Sequence, residues 1–201
     1  QFFGGMAGFL IIKDSGCALD NIPEIKAAKD ILMGFNVIRV YKTNREVPFV
    51  NEEAVQFSGR SNPSLWEFFI ESNFYFLTNG VSNPTLKVRP GEVVRLRLLN
   101  AASGETLVVG LEDHQLHVIA QDGLNFSEVA PVDDYVMGAG NRVDVMVKAG
   151  EPGSYLLQAL DPTTAKSVSS IAGVDPAARN ARIGNDFPTP TYPITLAAIE
   201  V

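Results

Sequence analysis

Three side chains in this sequence could hold a soft metal ion or serve as an activated nucleophile: Cys17, His114 and His117, the one cysteine and the two histidines of the chain. The histidines stand three residues apart in "EDHQLHVIAQDG". Val118, Ile119 and the Asp122-Gly123 turn mark this stretch as a strand, in which side chains alternate between faces. At a spacing of three the two rings point to opposite faces and do not share one ion. The expectation is one histidine near a strand end and one packed or solvated. Cys17 lies in a polar segment far along the chain from both. A Cys-plus-two-His site would have to be closed by the fold, and copper or zinc would still need a third or fourth donor. A thiol nucleophile needs a neighbouring base, and no sequence signature supplies one.

The other chemistry-bearing patterns are weaker. "GGMAG" lacks the glycine spacing and the following helix of a dinucleotide-binding turn, and there is no phosphate loop or nucleophile elbow. Glu112, Asp113, Asp122, Asp133 and Asp134 read as solvated loop carboxylates rather than an acid/base pair. No catalytic, cofactor-binding or metal-ligating residue is therefore assigned within the 201 residues.

The elements that would position such residues are mostly strands. In "KVRPGEVVRLRLLNA" (87–101) Val94, Leu96 and Leu98 face one way and Arg95 and Arg97 the other, the period of two of a half-buried strand. "NRVDVMVKAG" (141–150) repeats this with Val143, Val145 and Val147. Further strands are expected over Gly8–Ile12, Asp30–Tyr41, Asn73–Thr78, Thr106–Leu111, Leu116–Ala120, Ser154–Ala159 and Ile194–Ile199. Asn79-Gly80, Asn83-Pro84, Asp122-Gly123, Gly138–Gly140 and Pro152-Gly153 supply the turns. Many short strands with such turns predict an all-β antiparallel sandwich or barrel. Asp14–Glu24 reads as a linker. Asp161–Thr191, with a short helix expected near Pro176–Arg182, reads as a long functional or interdomain loop.

Composition narrows the partners. The net charge of −7 repels phosphate backbones, so nucleic acid and anionic membranes are poor partners. No apolar run approaches the roughly 20 residues of a membrane-spanning helix, and no signal peptide is present in the chain. A single cysteine excludes an internal disulfide. The aromatic stretch "NPSLWEFFIESNFYF" (62–76), with Trp66, Phe68 and Phe69, offers a second reading. It is a non-catalytic β-sandwich module that binds carbohydrate or protein through exposed rings.

Four blocks taken in order resemble the multicopper oxidases, the laccase-like family: "QFFGGMAGFLIIKD" (1–14), "FLTNGVSNPTLKVRPGEVVRLRLLNAA" (76–102), "DHQLHVIAQDG" (113–123) and "PVDDYVMGAGNRVDVMVKAGEPGSYLLQA" (131–159). The resemblance implies a cupredoxin-like Greek-key β-sandwich. It further implies that residues 1–13 are the tail of a preceding cupredoxin domain, 14–24 a linker, and 25–201 the copper-free, plastocyanin-like middle domain. In the family a type 1 copper takes single electrons from substrate, and a His-Cys-His bridge passes them to a trinuclear cluster that reduces oxygen to water. None of those ligand motifs stands in this chain. The resemblance thus implies copper in the parent protein and none bound here, so that the chain alone is inactive. Flanking cupredoxin domains are the implied partners, with self-association through an exposed N-terminal strand. Periplasmic or extracellular placement is the family expectation. A two-domain parent, of the small-laccase or nitrite-reductase type, is equally compatible.

Overall fold

The structure is a computed structural model that describes residues 7–12, 19–41, 72–102, 106–163, 166 and 191–201. Eleven strands are present among these: β1 (Lys29–Tyr41), β2 (Ser72–Thr78), β3 (Thr85–Lys87), β4 (Val93–Asn100), β5 (Leu107–Leu111), β6 (Leu116–Gln121), β7 (Leu124–Val132), β8 (Asp134–Met137), β9 (Arg142–Lys148), β10 (Ser154–Ala159) and β11 (Ile194–Glu200). They form two sheets. The first runs β2-β1-β4-β9-β6-β7 and the second β3-β11-β10-β5-β8. Neighbours are antiparallel except β1 with β4 and β3 with β11. The chain crosses repeatedly from one sheet to the other, so the strands of each sheet come from distant parts of the sequence.

Alternation places the core between the sheets. Val94, Leu96 and Leu98 of β4 and Val143, Val145 and Val147 of β9 are all 3% exposed or less. They lie in register, Leu96 opposite Val145, as the sequence pattern predicts. Leu107, Val109, Leu157 and Leu196 meet them from the second sheet. Each such side chain contributes about 1.5–3 kcal/mol through removal of apolar area from water. The six strands expected with stated bounds from residue 30 onward are found with ends displaced by a residue at most, and the alternating stretches 87–101 and 141–150 contain β4 and β9. Three strands escaped the alternation rule. β3 is three residues long, β7 carries Ser127, Glu128 and Pro131 along an exposed edge, and β8 begins on an acidic residue.

One strand expectation fails near the start of the chain. Gly8–Ile12 forms no strand; Phe9 is half-buried while Leu10 and Ile12 are 89% and 84% exposed. The described part of the expected linker, residues 19–24, is folded against the sheet. Leu19–Asn21 forms one 3-10 turn, followed by the short helix α1 (Pro23–Ala27) with proline in its first turn, where a missing N–H costs nothing. Leu19 and Ile25 are buried against Ile119, Ala120 and Met146. These lie on the outward face of the first sheet, so residues 19–28 form a strap across it. Ile119 reaches that face because β6 carries an irregularity between Val118 and Ala120, which turns two successive side chains outward. The helix expected near 176–182 lies outside the described residues.

Candidate functional site

His114 stands in the turn before β6, bridged back to Leu111. Its Nδ1 lies 2.7 Å from the carbonyl oxygen of Glu112, and its Nε2 lies 3.2 Å from the backbone nitrogen of Gly150. A carbonyl only accepts and a backbone N–H only donates, so the ring is the neutral tautomer with hydrogen on Nδ1. The Tyr155 ring meets it edge-to-face at 4.5 Å, and Tyr155 in turn donates to the Glu151 carbonyl. The Glu112 carboxylate accepts from the backbone N–H of Leu156. His114 thus staples the β5–β6 turn to the loop between β9 and β10.

His117 is exposed on the outward side of β6, opposite Met146 of β9 and Pro131 of β7. The two imidazoles belong to different surroundings, and both nitrogens of one are occupied. Among the described residues no three His, Cys, Asp or Glu side chains converge to hold a metal ion. Cys17 lies outside the described residues, as do Trp66, Phe68 and Phe69 and nearly all of the 161–191 loop. Imidazole is a common copper donor; the described residues hold two, in different surroundings, and both ring nitrogens of His114 are engaged by backbone groups.

The carboxylates expected to be solvated are mostly engaged. Asp122 accepts from the Asn141 side chain and from the Arg142 backbone, each at 2.9 Å. Asp133 accepts from Lys166 and Gln115. Hydrogen bonding to Lys166, then to Gln115, holds the Asp133 carboxyl below its usual range, and the same pairing raises Lys166. Asp134 is 4% exposed and accepts from the Lys166 backbone N–H. These carboxylates take part in the hydrogen bonds and ion pairs that join neighbouring turns. No helix among the described residues is long and apolar enough to cross a membrane.

The densest polar cluster is one that spacing did not reveal. On the outward face of the first sheet, Arg95 of β4 has a side chain only 7% exposed. Its Nε and Nη2 donate to Asp144 Oδ2 at 3.1 and 2.6 Å, and its Nη1 donates to Asp20 Oδ1 at 2.7 Å. Arg97 pairs with Asp30 of β1 at 3.0 Å. Burial alone would lower the Arg95 pKa; the hydrogen bonds and charges of Asp20 and Asp144 outweigh it and raise the value. Arg95 and Asp144 come from adjacent strands, and Asp20 comes from the strap. The trace in the sequence is the pair of arginines on the outward phase of β4 facing an aspartate on the outward phase of β9, which cross-strand pairing brings together.

Comparison with known proteins identifies the architecture. The family model for the multicopper oxidases matches residues 42–175. Iron transport multicopper oxidase FET5 of Saccharomyces cerevisiae is 34% identical over 153 residues, 74% of this chain and 21% of that protein. Laccase-3 of Thanatephorus cucumeris is 35% identical over 86 residues, 40% of this chain and 15% of that protein. The chain therefore spans about a fifth or less of the length of these two relatives. Among solved structures, Fet3p, a multicopper oxidase that functions in iron import, superposes with a TM-score of 0.60 at 17% identity. That match covers 94% of this chain and 30% of the other. The fold is the all-β, cupredoxin-like Greek-key sandwich that the sequence blocks imply.

Proposed function

The chain belongs to the multicopper oxidase family, and from that premise we propose that it is the copper-free middle domain of an oxidase that couples one-electron substrate oxidation to the reduction of oxygen to water. On this reading residues 1–13 are the tail of the preceding cupredoxin domain, 14–24 the connection, and 25–201 the middle domain. The observation that supports it best is the state of the donors. The sequence holds two histidines and one cysteine, and both nitrogens of His114 are occupied by backbone groups.

Copper in flanking domains would supply the one-electron chemistry. The residues of this chain hold those domains apart and present loop surface beside them. The two-sheet core makes a rigid spacer, since interiors packed at crystal-like density resist deformation. The parent is exported to the periplasm or outside the cell. Freed of its neighbours, the chain oxidises nothing and self-associates through its exposed apolar segments.

The test is copper retention. The 201-residue chain is loaded with Cu(II), dialysed, and its metal content measured. Essentially no copper per chain is expected, with His114→Gln and His117→Gln variants indistinguishable from the parent chain. Stoichiometric retention, lost in either variant, would overturn the copper-free assignment.

A further inference from the structure

β7 carries the triplet Asn125-Phe126-Ser127, the Asn-x-Ser pattern whose carboxamide accepts an N-linked oligosaccharide in exported proteins. Asn62-Pro63-Ser64 and Asn83-Pro84-Thr85 have the same spacing, but each holds proline at the middle position, which bars the acceptor conformation. Asn125 is therefore the one asparagine of the sequence open to this chemistry. The fold puts it where a bulky polar group can stand. β7 is the outermost strand of the first sheet and pairs with β6 alone among the described residues. Asn125 lies opposite Ala120, just past the Asp122-Gly123 turn, and Phe126–Val129 then bow outward before Ala130 meets Val118. Every residue from Gly123 to Val129 is exposed.

The neighbours of Asn125 give the modification a use. Leu124 and Phe126, on either side of it, are 73% and 41% exposed, and Val129 is 53% exposed. A sheet edge bearing apolar side chains pairs with unwanted chains unless something covers it, and an N-linked oligosaccharide is bulky and solubilising. From the acceptor triplet and its place on this edge we propose that Asn125 is an N-glycosylation site and that its oligosaccharide caps β7. The proposal rests on the reading that the parent is exported. In the transfer, Asn125 Nδ2 forms a bond to the anomeric carbon of an oligosaccharide carried on a polyprenyl diphosphate. The bond from that carbon to the diphosphate oxygen breaks, the lipid diphosphate leaves with the electron pair, and the amide gives up one proton. Nothing is oxidised or reduced.

The experiment sends the 201-residue chain through a eukaryotic secretory pathway behind a cleavable signal and collects it from the medium. Material recovered there has passed the transferase. Its intact mass is expected to exceed that of the polypeptide by one oligosaccharide, and endoglycosidase digestion should leave a single N-acetylglucosamine on the peptide that holds Asn125. Asn125→Gln and Ser127→Ala should each abolish the added mass, whereas Ser127→Thr, which restores a hydroxyl, should keep it. Sedimentation velocity should show a weight-average coefficient that rises with concentration for Asn125→Gln and stays flat for the glycosylated chain. A secreted chain with Asn125 bare would overturn the site, and equal association of the two forms would overturn the capping. Neither result touches the copper-retention outcome, and stoichiometric copper retention would sink the copper-free reading while leaving the site standing.

Discussion

At the scale of residues, partners rather than spacing decide what each polar group does. His114 and His117 look alike in the sequence, yet one is locked between a carbonyl and an N–H and the other faces solvent. The sequence pattern carried no sign of the Gly150 contact, because its two halves lie in loops that only the pairing of β5 with β10 brings together. Tyr135 shows the same dependence and makes a pH prediction. Its hydroxyl donates to Gln121 Oε1 at 2.7 Å, and its pKa is raised above 10.0 by burial and then by the charge of Asp122. A raised value means the folded state holds the phenolic proton more tightly than the unfolded chain does. The stabilisation is complete below pH 10 and is lost as pH climbs through the folded pKa. Urea unfolding at pH 9 and pH 11 should therefore show a steeper loss for the parent chain than for Tyr135→Phe, which itself costs about 1 kcal/mol at neutral pH. Equal losses in the two proteins would remove Tyr135 from the account.

At the scale of elements, alternation located the interior strands and turn chemistry located their ends. Asn79-Gly80 and Asp122-Gly123 have positive φ at both positions, the conformation of the two-residue turns that suit twisted strands. What alternation could not show is how a strand is finished when its neighbour stops. β2 leaves β1 after Thr78, and there the Asn79 side chain takes over the ladder: its Oδ1 accepts from Gly34 N–H and its Nδ2 donates to the Leu32 carbonyl, both at 2.8 Å. Asn79 also sits at φ 51°, which asparagine tolerates better than most residues. Asn79→Ala should cost about 2–3 kcal/mol, from two lost bonds and a strained backbone. Asn79→Gly relieves the strain but not the bonds and should cost about 1–2 kcal/mol. Denaturant midpoints ranking glycine below alanine would contradict this division. The strap is invisible to alternation for a related reason. Five helical residues and a 3-10 turn carry too short a period to read, and their docking depends on the Ile119 irregularity in β6.

At the scale of the whole molecule, the sandwich was legible because its two inner faces are simple, alternating and apolar. Its outer surfaces are not simple, and their use follows from what they leave uncovered. The β7 edge is the clearest case. Asn125 pairs with Ala120 and Ala130 with Val118, so Phe126–Val129 face only Ile119 and bow away from the ladder. Leu124, Phe126 and Val129 are 73%, 41% and 53% exposed there, along the only strand that pairs on one side of β6. Among the described residues β7 pairs with β6 alone; an edge bearing apolar side chains invites a second chain, and Leu10 and Ile12 add a further apolar site on the segment ahead of the strap. A charge of −7 opposes association, but salt screens it over about 8 Å at physiological ionic strength. The expected balance is weak self-association that strengthens with salt. Sedimentation velocity from micromolar to hundreds of micromolar should show a rising weight-average coefficient at physiological salt. Phe126→Glu with Val129→Glu should suppress the rise, since each places a charge where contact would have to exclude water, while Leu10→Glu with Ile12→Glu measures the share of the N-terminal segment. A monomer throughout that range would show that the bowed edge is already satisfied by solvent, and self-association would then have to be struck from the proposed properties of the chain.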